Sequence, residues 1–60
     1  MGVFIGETAF TVDILQPQKT GYVRFKGELW KAESNDFIKK DVKVKILKKD
    51  GSLLTVEALK

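Results

Sequence analysis

The sequence predicts an all-β fold, a small barrel of five short strands. Apolar and polar residues alternate along several short runs, the mark of strands with one buried face. Glycines and the single proline fall between those runs, where turns need them. No apolar pattern recurs at helical spacing over a stretch long enough for a stable helix. The 60 residues allow one domain, and a chain of this size buries only about 60% of the surface its unfolded form exposes. Closing the sheet on itself helps such a chain, because no strand edge is left unpaired.

Met1 to Glu7 holds Val3, Phe4 and Ile5 between two glycines and reads as an N-terminal linker segment, so the barrel is expected over residues 8–60. Thr8 to Leu15 alternates and predicts the first strand, with Phe10, Val12 and Ile14 on the inner side and Thr11 and Asp13 on the other. Leu15 breaks that alternation. Either a bulge lies near Ile14, or the strand faces the other way and Leu15 is the buried residue. Gln16 to Thr20 contains Pro17 and forms a loop that ends the strand.

Gly21 to Ala32 predicts a β-hairpin around a two-residue loop, Lys26-Gly27. Opposed residues of an antiparallel pair share a face, so Phe25 meets Glu28, Val23 meets Trp30 and Gly21 meets Ala32. The inner face is then Val23, Phe25, Trp30 and Ala32, and the outer face Tyr22, Arg24, Leu29 and Lys31. A shift of one residue would turn Trp30 toward charged neighbours, so the pattern itself selects the loop length. Gly27 is expected at positive φ. Trp30, facing Val23, is a core residue whose truncation would cost ~3 to 5 kcal/mol.

Glu33 to Lys40 is too short for a long helix; Ser34 is placed to cap one helical or 3₁₀ turn that drops Phe37 or Ile38 over an open end of the sheet. Asp41 to Lys49 predicts the fourth strand, with Val42, Val44 and Ile46 inward, and Ser52 to Leu59 the fifth. A two-residue Asp50-Gly51 turn would set Ile46 against Thr55 and mix the faces. A three-residue loop, Lys49-Asp50-Gly51, instead pairs Ile46 with Leu54, Val44 with Val56, Lys43 with Glu57, and Leu47 with Leu53 on the outside.

The positions Leu15-x-Pro17, Gly21-x-Val23, Gly27-Glu28-x-Trp30-x-Ala32, Ile38, Val42-x-Val44, Gly51 and Leu54-x-Val56 together resemble the C-terminal soluble domain of the NfeD family, over about Thr8 to Leu59. Its most specific part is Gly27-Glu28-Leu29-Trp30-Lys31-Ala32 with Ile38 six residues on. The resemblance implies a five-stranded OB-fold-like barrel in which the helix between strands 3 and 4 is shortened or absent. Members usually carry membrane-spanning helices ahead of this domain, and long members a serine protease domain related to Clp proteases. They are typically encoded beside stomatin- or flotillin-like membrane proteins and are thought to bind them in membrane organisation or membrane protein quality control. By that resemblance the partner is a stomatin/flotillin-like protein, and the parent chain is anchored in the membrane on the cytoplasmic side. Asp41 stands where the family commonly has glycine, so the turn into the fourth strand is expected to differ.

The side-chain inventory argues against catalysis. With neither cysteine nor histidine there is no Ser/His or Cys/His pair, and no histidine or thiolate metal site. A Ser-Lys dyad needs a desolvated lysine in a pocket that so short a chain can hardly form. Asp36, Asp41 and Asp50 fall in turns, no Asp-x-Asp-x-Asp-Gly run marks a calcium loop, and no cofactor is implied. No segment has the ~18 to 20 apolar residues of a membrane helix. Eleven basic against eight acidic residues leave a net charge of +3, from a lysine run between Lys39 and Lys49. Single-stranded nucleic-acid binding is therefore the alternative function, but with Phe10, Phe25, Trp30 and Phe37 assigned inward and Phe4 unplaced, Tyr22 is the one clear outward residue to stack a base. A solvated strand face explains the lysines without a ligand. The leading expectation is a non-enzymatic protein-interaction module whose partner surface comprises Tyr22, Leu29, Lys31, Leu47 and Leu53, against the alternative that barrel closure or Phe4 covers these leucines.

Overall fold

The structure, a computed structural model, describes residues 4–59. Five strands, β1 (Thr8–Thr11), β2 (Gly21–Phe25), β3 (Glu28–Glu33), β4 (Lys43–Asp50) and β5 (Leu53–Ala58), close into a barrel in the order β1-β2-β3-β5-β4. Neighbours run antiparallel except β3 and β5, which are parallel through Lys31↔Leu53, Ala32↔Leu54 and Glu33↔Thr55. The resulting five-stranded, closed sheet is the OB-fold-like barrel expected. Inward residues from every strand, with Leu15 and Ile38 from the loops, form a single core around Val23, Val44, Ile46 and Leu54, all fully buried.

The β2–β3 hairpin has the expected register at all five pairs, from Gly21↔Ala32 to Phe25↔Glu28. Lys26 (φ 51°) and Gly27 (φ 79°) are both left-handed, the pattern of a type I′ turn, whose twist matches that of the flanking strands. Trp30 lies on the inner face but near the barrel's end and is half-buried. Phe4 closes over it, edge to face at 4.9 Å, and lies 4.7 Å from the Phe25 ring. Phe4 therefore covers the end of the core and not the outer leucines. Hydrogen bonds from Gly6 N to Ile46 O and from Ile46 N to Glu7 O, each 2.8 Å, tie this N-terminal turn to β4. Of the expected linker, residues 1–3 lie outside the described residues.

The first strand corrects the expected face. It ends at Thr11, and its buried residues are Ala9 and Thr11, while Phe10 and Ile14 are 52% and 43% exposed. Thr11 tolerates burial because its hydroxyl donates to Lys39 O (2.6 Å) and accepts from Val42 N (2.9 Å), so no polar group is stranded. Beyond it the chain bends: Val12 N and Asp13 N both donate to Tyr22 O, and the Asp13 carboxylate accepts from Tyr22 N at 3.0 Å. Of the two readings left open by Leu15, the second holds, with Leu15 fully buried. Leu15 and Ile38 exchange two backbone hydrogen bonds of 2.8 Å, which seats Ile38 in the core. The segment before Ile38 has no helical turn; Ser34 Oγ accepts from Asp36 N at 3.0 Å, a local hydroxyl turn that competes with helix, and Phe37 is left 61% exposed.

The β4–β5 register also differs. The loop is the two-residue Gly51-Ser52, with Gly51 at φ 63°, and the ladder runs Asp50↔Leu53, Lys49↔Leu54 and Lys48↔Thr55. At Leu47 it slips by one residue and resumes as Ile46↔Val56, Lys45↔Glu57 and Val44↔Ala58. Lys43 is thus not opposite Glu57, nor Leu47 opposite Leu53. The bulge keeps Val44, Ile46, Leu54 and Val56 inside while letting a tight turn close the hairpin. It also brings Lys49 to the barrel's end, its ammonium 5.7 Å from the Trp30 ring centre and 5.8 Å from that of Phe4.

Candidate functional site

The outer face of the first three strands, continuing onto β5, is built by the pairing itself. Outward side chains form two adjacent rows across the strands: Lys43, Phe10, Arg24 and Leu29 in one, and Tyr22, Lys31 and Leu53 in the other. Tyr22 is 44% and Leu29 56% exposed, and with Lys31, Trp30 and Ser52 they line a shallow groove. Barrel closure leaves Tyr22 and Leu29 uncovered, while Leu53 is half-buried.

Of the five expected surface residues, Tyr22, Leu29, Lys31 and Leu53 lie on this continuous face. Leu47 does not adjoin them: it sits in the β4 bulge opposite the Thr55–Val56 step, 42% exposed. Two neighbours also belong to the face: Phe10, which was expected inward, and Arg24, which was expected outward but left out of the partner surface. Counting the strand's phase back from Leu15 instead of forward from Phe10 puts Ala9 and Thr11 inside and Phe10 outside, so the signal was present.

Among the described residues, no group of three or more acidic, cysteine or histidine side chains is placed to hold a metal ion, and no helix is long and apolar enough to cross a membrane. The Trp30 indole N–H, buried at the barrel's end, has no acceptor among the described residues. Ser34 is buried and occupied by its own turn, while Ser52 lies in the exposed β4–β5 loop. What the face offers is exposed apolar area interleaved with the cationic side chains of Arg24, Lys31 and Lys43.

Residues 2–57 match the family model of the NfeD-like C-terminal, partner-binding domain. Among solved structures, the barrel is similar to the C-terminal domain of stomatin operon partner protein 1510-C from Pyrococcus horikoshii, with 33% identity over 97% of this chain and 91% of that one and a TM-score of 0.84. It is also similar to the soluble domain of a membrane protein implicated in regulation of membrane protease activity from Corynebacterium glutamicum, at 22% identity over 93% and 92% of the two chains, again with a TM-score of 0.84; that likeness speaks for the fold. None of the curated proteins matches significantly.

Proposed function

The chain belongs to the NfeD-like C-terminal, partner-binding domain family, and from that premise we propose that it is a non-enzymatic docking module whose partner is a stomatin- or flotillin-like membrane protein. In this reading the parent protein is held at the membrane on its cytoplasmic side and works in membrane organisation or membrane protein quality control. The observation that carries it is the exposed pair Tyr22 and Leu29 beside Lys31 and Leu53, an apolar and cationic face on a rigid sheet. Adjacent exposed apolar side chains of this kind support the reading of a contact surface.

Pull-down of a purified stomatin-like protein tests the proposal. Leu29→Glu replaces an exposed apolar side chain of the face by a carboxylate and is expected to weaken capture at least about tenfold, while Leu47→Glu, which does not adjoin the face, weakens it less. Unchanged capture by both variants removes the patch.

A further inference from the structure

Arg24 occupies a distinctive place on this face. It is opposite Phe10 on one side and Leu29 on the other, with Tyr22 two residues along on the same side of β2. None of the side-chain hydrogen bonds among the described residues uses its guanidinium. Its planar fork of N–H donors, standing on a half-apolar surface, matches a carboxylate, which it can bind through two parallel hydrogen bonds. Lys43 and Lys31 flank it, and the two rows contain no acidic residue. Carboxylates surround the rows: Asp41 lines the same hollow as Phe10 and Arg24, Asp13 accepts from Tyr22 N, Glu28 lies beside Leu29, Glu33 stands two residues on from Lys31, and Asp50 is opposite Leu53.

We infer that Arg24, set between Phe10 and Leu29, is a carboxylate clamp that docks an acidic, apolar segment of the partner protein on the outer face of β1, β2 and β3. The inference rests on the docking function proposed above and adds the chemistry of what is docked. Charge complementarity selects an acidic occupant. The bordering carboxylates favour a peptide over nucleic acid, because a phosphate backbone crossing the face would meet a negative charge at each end, whereas a peptide with isolated acidic residues need not. Phe10 and Tyr22 supply the apolar area on which its hydrophobic side chains rest.

Fluorescence anisotropy with short labelled peptides provides the test. The probes are a peptide alternating aspartate and leucine, its lysine-for-aspartate and serine-for-aspartate counterparts, and an oligothymidylate. The expected result is that the aspartate peptide binds the wild-type chain more tightly than either counterpart, that Arg24→Gln weakens it about tenfold or more, and that Arg24→Lys, which keeps the charge but not the fork, falls between. Arg24 is exposed, so both variants should keep the wild-type circular dichroism. Aspartate-peptide binding that is absent, or indifferent to Arg24→Gln, overturns the clamp, as does Arg24-dependent binding of oligothymidylate alone. A stomatin-like protein captured equally by wild type and Arg24→Gln also overturns the clamp but leaves the docking function standing. No capture by wild type, with Arg24-dependent peptide binding, keeps the clamp and removes that partner.

Discussion

The hairpin β2–β3 turns on two left-handed residues, Lys26 and Gly27, and keeps a regular ladder throughout; β4–β5 turns on one, Gly51, and slips by a residue at Leu47. The first therefore has one inner face from end to end. The second changes phase partway, so that Lys49 lines up with the inner side after Val44 and Ile46 have already filled it. Both deliver four side chains to the inner face, but the bulged hairpin also bends the sheet, and curvature is what lets five strands close. Regularity keeps the two faces of β2–β3 distinct along its length, and irregularity serves closure.

The sharpest way to break this comparison is to empty the core beside the bulge. Ile46→Ala should cost about 2 to 5 kcal/mol in urea unfolding, and a loss below that range would mean the bulged strand relaxes into the space. Next comes the tight start of β2. A Cβ added at Gly21 would stand 2.8 Å from Leu15 Cδ2 and 3.2 Å from Ile14 O, so Gly21→Ala should destabilise by about 1 to 3 kcal/mol. The two turns can be compared directly. At Gly27 and Gly51 a Cβ would meet nothing within 4 Å, so alanine at each position carries only the backbone cost of about 1 to 2 kcal/mol, and midpoint shifts from matched urea titrations should agree. A larger loss at Gly51 would assign the bulge a strain that the regular hairpin lacks. The smallest effect is expected from Leu47→Thr, within about 0.5 kcal/mol of wild type, because the bulge is a property of the backbone and its side chain is exposed.

The regular hairpin was legible in the sequence because Val23, Phe25, Trp30 and Ala32 keep one alternation through the turn, and Lys26-Gly27 fits the loop that preserves it. Tyr22, Leu29 and Lys31 followed from the same register. The β4–β5 ladder was not legible: alternation fixes which residues face inward, as it did for Val44, Ile46, Leu54 and Val56, but a bulge changes their partners without changing their faces. Thr11 defeated the reading of β1 for another reason. Hydrophobicity favours burying Phe10, and the two long-range hydrogen bonds that make a buried threonine acceptable leave no trace in local sequence. That error also hid Phe10 and Arg24 as neighbours. Asp41, at the turn into β4, has φ 62°, a left-handed backbone that aspartate tolerates better than most residues.

Because β5 is inserted between β3 and β4, the strands do not meet in the order in which they are synthesised. On the ribosome the first three strands can pair as they emerge, yet β4 finds only β1, and the gap between β3 and β4 persists until Leu53 to Ala58 arrives to fill it. Two seams, one parallel and one antiparallel, are then sewn by a single late segment. A nascent chain halted before that segment would expose the interior to solvent, so the outer row that runs from Tyr22 through Lys31 to Leu53 is completed at the same moment as the core beneath it.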